Sequence, residues 1–373
     1  METKKINVLV VEDSPVMRLL LAHLINNDPH LHVMGTANDG LEAVAFLAQQ
    51  KPDVILMDIH MPRMDGFEAT RHIMETRPLP IVICSGTINP KEVTITFQTL
   101  EAGAVAFIEK PIGMGHPDFE EKTANLLQTI KLMSEVKVIR RWPGARRAPA
   151  TPPATALQRA PASIKLVAIG ASTGGPPVLQ TILAGLPKDF PVPILIVQHI
   201  APGFLAGLTE WLQQTTHFRI AIARHGALLE PGHVYLAPDD LHLGIDGGMR
   251  ICLSKADPDN GLRPSVAHLF RSVAEICGPC AIGVILSGMG RDGAAELKLM
   301  KERGAVTVAQ DEESCVIHGM PGEAIRLGAA THVLTPESLA ATLAGWAKMG
   351  CSAWQRSSGG NSPAYSESPR QNQ

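Results

Sequence analysis

The sequence predicts a tandem α/β protein: an N-terminal doubly wound (βα)5 domain, a linker, and a C-terminal α/β domain on a mostly parallel sheet. Three observations carry that expectation. Short, almost wholly apolar runs alternate with amphipathic stretches in both halves, as parallel strands buried on both faces require. The 373 residues suit two domains at about 100–200 residues each. Between the halves, from about Arg140 to Ser163, the chain is rich in Pro, Ala and Arg and has no acidic residue. There Pro149, Pro152, Pro153 and Pro161 block regular helix.

In the first half, Ile6–Val11, His32–Ala37, Val54–Met57, Ile81–Cys84 and Ala106–Glu109 read as strands. Helices are expected near Pro15–Asn26, Gly40–Gln49, Gly66–Thr76 and Pro90–Ala102, with another from Asp118. In the second half, Leu166–Ile169, Ile194–Val197, Ala281–Ser287 and Val306–Ala309 read as buried parallel strands. Glu230–Ile245, with Pro231-Gly232 and Pro238-Asp239-Asp240, reads as an antiparallel or hairpin insertion. Helices are expected after Gly175, Gly203, Pro264, Gly293 and Pro336. The expected division is 1–130 for the first domain, 131–163 for the linker, 164–348 for the second domain, and 349–373 for a disordered polar tail.

Composition narrows the function classes. Apolar residues make up 45 % of the chain, enough for two cores, and the net charge of −3 offers no global basic field for nucleic acid. Runs such as Ile81–Cys84 and Ile194–Val197 are too short to cross a bilayer. Met1-Glu2-Thr3-Lys4-Lys5 runs straight into Ile6–Val11 without the apolar stretch of a signal peptide. Six cysteines scattered in a long chain are no disulfide framework. These features fit a soluble cytoplasmic protein.

Three acids fall at strand ends of the first half: Glu12 and Asp13 after the first strand, Asp58 after the third. C-terminal strand ends of a parallel sheet share one edge, so these carboxylates can converge. Together they suit a hard cation such as Mg²⁺. Lys110, before Pro111, can place positive charge on departing phosphoryl oxygens, Ser85 can donate a hydroxyl, and Phe107 can repack when Ser85 moves. This ordered set, with Asp58-Ile59-His60-Met61-Pro62-Arg63-Met64-Asp65-Gly66, closely resembles the response-regulator receiver family over about residues 5–130. The resemblance implies phosphorylation of Asp58 by a histidine kinase, with Mg²⁺ held by Glu12, Asp13, Asp58 and a carbonyl near His60. His60 departs from the family, where Glu is common.

In the second half, Gly170-Ala171-Ser172-Thr173-Gly174-Gly175-Pro176 follows a strand and opens a helix. That fits a G-x-S-x-G turn exposing a nucleophilic serine; it also fits a Gly-rich phosphate-binding turn. Its partners favour the first reading. A serine needs a base and the base an orienting acid: His199 ends the strand Ile194–Gln198, and Asp292 lies just past Ile282–Ser287. The set, with Arg263-Pro264-Ser265-Val266, Gly288-Met289-Gly290-Arg291-Asp292-Gly293 and Gly319-Met320-Pro321, closely resembles the chemotaxis protein-glutamate methylesterases (CheB family) over about residues 164–348. The resemblance implies Ser172 as nucleophile, His199 as base, Asp292 as its orienter, and the Thr173 and Met289 N–H groups as oxyanion hole. It implies no cofactor in the esterase site. Departures are Leu262, Arg291 and His318.

The resemblance further implies a phosphorylation-activated enzyme that removes methyl esters from glutamates, and amides from particular glutamines, of methyl-accepting chemoreceptors. Its phosphodonor would be a CheA-type sensor kinase, with no nucleic-acid partner and no membrane insertion. The rival readings are the same chemistry in a non-flagellar or surface-sensing pathway, and a non-enzymatic response regulator. Cys277-Gly278-Pro279-Cys280 closes a helix, where a redox motif should open one. Asp257-Pro258-Asp259-Asn260-Gly261 lacks the Gly and Glu of a calcium loop.

Overall fold

The structure is a computed structural model that describes residues 5–86, 90–111, 113, 115–136, 138 and 164–358. Most of the linker expected at 131–163 therefore lies outside the described residues.

The first sheet has order β2-β1-β3-β4-β5 and is parallel throughout. Its strands are β1 (Ile6–Val11), β2 (Leu31–Ala37), β3 (Val54–Met57), β4 (Ile81–Ser85) and β5 (Ala106–Glu109). Between and after them run α1 (Pro15–Asn27), α2 (Gly40–Gln49), α3 (Gly66–Thr76), α4 (Pro90–Ala102) and α5 (Phe119–Ser134). Three of the helices begin on capping side chains: Ser14, Asp39 and Asp65 accept the N–H of Met17, Glu42 and Glu68. Such caps satisfy donors that the first turn leaves unpaired.

The second sheet has order β14-β13-β12-β6-β7-β9-β8, and every pair is parallel. It comprises β6 (Leu166–Ala171), β7 (Ile194–Gln198), β8 (Arg219–Ile222), β9 (His233–Leu236), β12 (Ala281–Ile285), β13 (Val306–Gln310) and β14 (His332–Leu334). The helices are α6 (Gly175–Gly185), α7 (Leu205–Thr215), α8 (Val266–Ile276), α9 (Ala294–Glu302), α10 (Met320–Arg326) and α11 (Pro336–Ser358). Every residue of β6, β7, β12 and β13 is buried, which is why those runs are apolar without alternation.

Two expectations change. The insertion over Glu230–Ile245 is split: His233–Leu236 joins the main sheet as parallel β9, and only β10 (His242–Ile245) pairs antiparallel with β11 (Ile251–Ser254). Alternation in a short run does not tell a parallel strand from a hairpin arm. The last helix continues to Ser358, past the expected tail boundary at 349. Its Ala-, Met- and Trp-containing sequence has no Pro until Pro363, and nothing stops propagation. The rest of the expected tail, 359–373, lies outside the described residues. Strands β8 and β14 and helix α10, which the sequence left unassigned, are short, at four, three and seven residues.

The two domains pack against each other. Phe97 of α4 stacks on Trp211 of α7, with ring centroids 5.5 Å apart. Phe107 of β5 meets Phe204, just before α7, at 4.7 Å. On the α5 side, Gln128 Nε2 reaches Met289 Sδ at 3.7 Å, and Val316 and Ile317 pack onto the first domain's core.

Candidate active site and phosphoacceptor site

In the first domain, Lys110 Nζ stands 2.8 Å from Glu12 Oε2 and 2.9 Å from Asp58 Oδ2. Asp58 Oδ1 accepts the Ile59 N–H at 2.8 Å. Glu12 is 1 % and Asp58 5 % exposed. Burial pushes both carboxyls up, against the pull of Lys110. Burial opposes the Lys110 charge, yet Asp58 and Glu12 hold its amine above the ordinary value. Carboxylate oxygens of Glu12, Asp13 and Asp58 lie within 4.8 Å of one another. Three carboxylates facing one ammonium, two of them desolvated, fit a hard dication with oxygen ligands. Ser85 is buried at the end of β4, and Phe107 sits on β5 beside the domain contact. His60 is exposed.

In the second domain, β6 lies between β12 and β7. The chain runs from β6 toward β7, β9 and β8, then returns to β12 on the other side. The sheet order therefore reverses at β6, and such a switch point opens a crevice at the C-terminal strand ends. Ser172 is the first residue past β6, His199 the first past β7, and Asp292 lies in the loop after β12. The three residues expected from sequence thus meet at one edge.

Asp292 is 5 % exposed. Its Oδ2 accepts the Val266 N–H at 2.7 Å and its Oδ1 the Ala267 N–H at 3.1 Å. The N-terminus of α8 thus holds the carboxylate by two backbone donors and a favourable dipole. His199 Nε2 lies 3.0 Å from Asp292 Oδ2, without the geometry of a hydrogen bond. The Ser172 hydroxyl makes no hydrogen bond among the described residues; such bonds commonly tighten only around substrate. The Thr173 and Met289 N–H groups are likewise without a partner among the described residues, as oxyanion donors must be before substrate arrives.

Close approach explains two glycines. A Cβ on Gly288 would fall 2.7 Å from Ser172 Cβ and 2.5 Å from Met320 Sδ. Gly174 has φ +80° at the turn into α6, a conformation that favours glycine.

The chain is also similar to known proteins along most of its length. Residues 167–343 match the CheB methylesterase family and residues 8–116 the response regulator receiver domain. A protein-glutamate methylesterase/protein-glutamine glutaminase of Nitrosospira multiformis is 53 % identical over 91 % of this chain and 96 % of its own length. The chain belongs to the CheB methylesterase family. A Geobacter metallireducens protein of the same name is 54 % identical, over 91 % of this chain and 98 % of its own. The crystal structure of the Thermotoga maritima CheB methylesterase catalytic domain is 41 % identical, with a TM-score of 0.48 over 49 % of this chain and 98 % of that one.

The sequence departures lie around this candidate site. His318 pairs through its backbone with Gly288, and its ring sits against Gly322 of α10. Leu262 closes a tight bridge with Asp259, and Arg291 is exposed beside Asp292. The Cys277–Cys280 segment ends α8 in a 3-10 turn that leads into β12, and burial pushes the Cys277 thiol up to about 11. That is the opposite of a redox thiolate.

Several supporting residues were not singled out from sequence. Ser287 Oγ donates to the Thr173 carbonyl at 2.8 Å, and Gln310 Oε1 accepts the Ser287 N–H at 2.8 Å. Ser265 caps α8 and donates to Asp259 at 2.8 Å. His242, Asp259 and His268 are spaced like metal ligands, but the atoms of His242 and Asp259 are engaged. His242 Nε2 is 3.1 Å from the Asp257 carbonyl, its Nδ1 faces the Ser265 N–H at 3.3 Å, and Asp259 also takes Arg271. His242 and Asp259 thus brace the start of α8 through Ser265, and the His268 ring stacks on His242. The signal for Gln198 and Gln310 was present in the sequence: a polar residue ending a buried, apolar strand.

Proposed function

We propose that this protein hydrolyses γ-glutamyl methyl esters, and deamidates particular glutamines, on the cytoplasmic helical part of methyl-accepting chemoreceptors. Phosphorylation of Asp58 by a CheA-type kinase would activate it, and it would work in the cytoplasm. The relatives named protein-glutamate methylesterase/protein-glutamine glutaminase support this reading. The observation that carries it is the convergence of Ser172, His199 and Asp292 at the switch point.

In this mechanism Ser172 Oγ attacks the ester carbonyl carbon while His199 takes its proton. Asp292, fixed by α8, orients the ring and stabilises the imidazolium. The Thr173 and Met289 N–H groups bind the oxyanion, each donor contributing about 10²–10³ in rate. His199 returns the proton to the departing methoxide, or to the amine of a glutamine, and an acyl-enzyme remains. Water then attacks the acyl carbonyl, giving up its proton to His199, and the glutamate carboxyl and the serine hydroxyl are released.

Control follows from the domain contact. The first domain covers the second along Phe107–Phe204 on one side and Gln128–Met289 with Val316 and Ile317 on the other. Those segments follow His199, carry a proposed oxyanion donor, or flank the Ser172 turn, so the docked domain restricts entry of a bulky helical substrate. Glu12, Asp13 and Asp58 would hold Mg²⁺, which offsets phosphoryl charge during transfer. A phosphate on Asp58 would draw in Ser85 and Lys110, shift Phe107 and loosen docking. The division 1–130, 131–163, 164–348 and a following tail is the organisation this control needs. The test is methanol release from methylated receptor: a fragment from residue 160 should outpace the unphosphorylated whole protein. A fragment no faster than the whole chain would mean activation by recruitment instead.

A further inference from the structure

Strand ladders end where strands diverge, and at a catalytic edge the last carbonyls need other donors. The ladder between β6 and β7 closes at the Ala171–Gln198 pair, with His199 N–H donating to the Ala171 carbonyl at 2.9 Å. One step beyond stand Ser172 and His199. Gln198 is 5 % exposed, and its Nε2 donates to the Ser172 carbonyl at 2.8 Å and to the His199 carbonyl at 2.8 Å. A single side-chain amide therefore ties the backbone of the nucleophile to that of the base. Its own Oε1 is buried without a hydrogen bond and lies where a Cβ on Gly175 would fall, at 2.2 Å. The helix there continues into Pro176 and Pro177, which have no N–H to offer it. An amide that uses both donor hydrogens and leaves its acceptor unpaired is placed for those donors.

We propose that Gln198 is a positioning residue that fixes the separation of Ser172 and His199 by bridging their carbonyls, adding a side-chain rung to the ladder. The inference rests on the Ser172–His199 reading given above. It predicts that removing the two donors costs kcat rather than KM, since substrate contacts stay in place while the attack geometry loosens. A misplacement of about 1 Å can cost about 10²-fold.

The test uses full-length protein and methylated receptor, with active sites counted by a serine-directed fluorophosphonate. Gln198→Met keeps the bulk and loses both donors. Per labelled site, kcat should fall about 10- to 100-fold with KM within about twofold. Gln198→Glu keeps the shape. Ionised, it offers only acceptors to two carbonyls; protonated, it regains one O–H donor, and burial raises its pKa. Its kcat relative to wild type should therefore climb several-fold from pH 8 to pH 6. A purely structural role would lower the thermal midpoint and the labelled fraction but leave that ratio flat. A flat ratio for Gln198→Glu overturns the proposal, even if Gln198→Met folds poorly. So does wild-type kcat in a folded Gln198→Met. Ser172→Ala separates the two readings: if it keeps activity, the triad assignment fails. If it is inactive while the Gln198 variants behave as wild type, only the positioning role fails.

Discussion

The protein carries two reactive edges on the same architecture. Both lie at the C-terminal ends of parallel strands, where loops can differ without disturbing the sheet. The phosphoacceptor edge concentrates charge: Glu12 and Asp58 are buried beside Lys110, and burial raises both carboxyls. The hydrolase edge keeps one carboxylate, Asp292, and spreads its charge over two backbone N–H groups. The first edge stores electrostatic cost that a cation can relieve. The second is arranged around the single carboxylate Asp292, held by the start of α8.

The largest expected effect separates the edges outright. Ser172→Ala should lower methanol release by on the order of 10⁴–10⁶-fold while leaving uptake of phosphate from a small donor unchanged. Asp58→Asn should do the reverse, blocking phosphorylation while basal turnover persists. If either variant abolished both readouts, the two edges would not be separate machines.

Asp292→Asn comes next. An amide cannot orient His199 as a carboxylate does, and the comparable change in a serine hydrolase costs about 10⁴ in kcat. Its NH₂ would also replace one of the two oxygens that accept from α8, facing a backbone donor with another donor. Steady-state kinetics should show the loss in kcat with little change in KM.

Smaller effects test the seam that joins the edges. Phe107→Ala removes one aromatic pair across it, and such a pair contributes about 0.5–1.5 kcal/mol beyond simple burial. Unphosphorylated turnover should rise about 2- to 10-fold, toward the rate of the fragment from residue 160. A rate that stays at the wild-type level would mean that the Phe107–Phe204 contact does not restrain the enzyme.

The smallest effect is a pH dependence of stability. Because burial holds Asp58 and Glu12 above their usual range, the folded state binds these protons more tightly than the unfolded chain. Their contribution is full below the unfolded carboxyl values near pH 4 and is lost as pH rises through the folded values. Urea midpoints of wild type should therefore fall relative to Asp58→Asn as pH rises across that window. Millimolar Mg²⁺ should restore wild type at neutral pH and affect Asp58→Asn less. Equal pH profiles would show that the acid cluster carries no such strain.

Much of this comparison was legible in the chain. Glu12, Asp13, Asp58, Ser85 and Lys110 each follow a recognisable apolar strand, so their shared edge follows from strand order alone. Ser172 and His199 were legible for the same reason, and Asp292 because glycines mark its loop. Residues whose role lies in side-chain contacts with distant backbone were harder to see. Ser265 acts as a cap on α8 twenty-seven residues before Asp292, and Gln310 reaches Ser287 across 23 positions. His233–Leu236 was misread because its partners, β7 and β8, are fixed only when the sheet assembles.

By itself, the sequence determined the two parallel α/β domains and which side chains stand at their strand ends. These depend on the period of apolar residues and on local turn chemistry, both properties of adjacent positions. The tertiary structure decided that Asp292 is held by α8, that Gln198 spans Ser172 and His199, and that Phe107 meets Phe204. Such contacts join segments far apart in the chain. Their distances follow from how whole layers pack, which no local pattern of residues specifies.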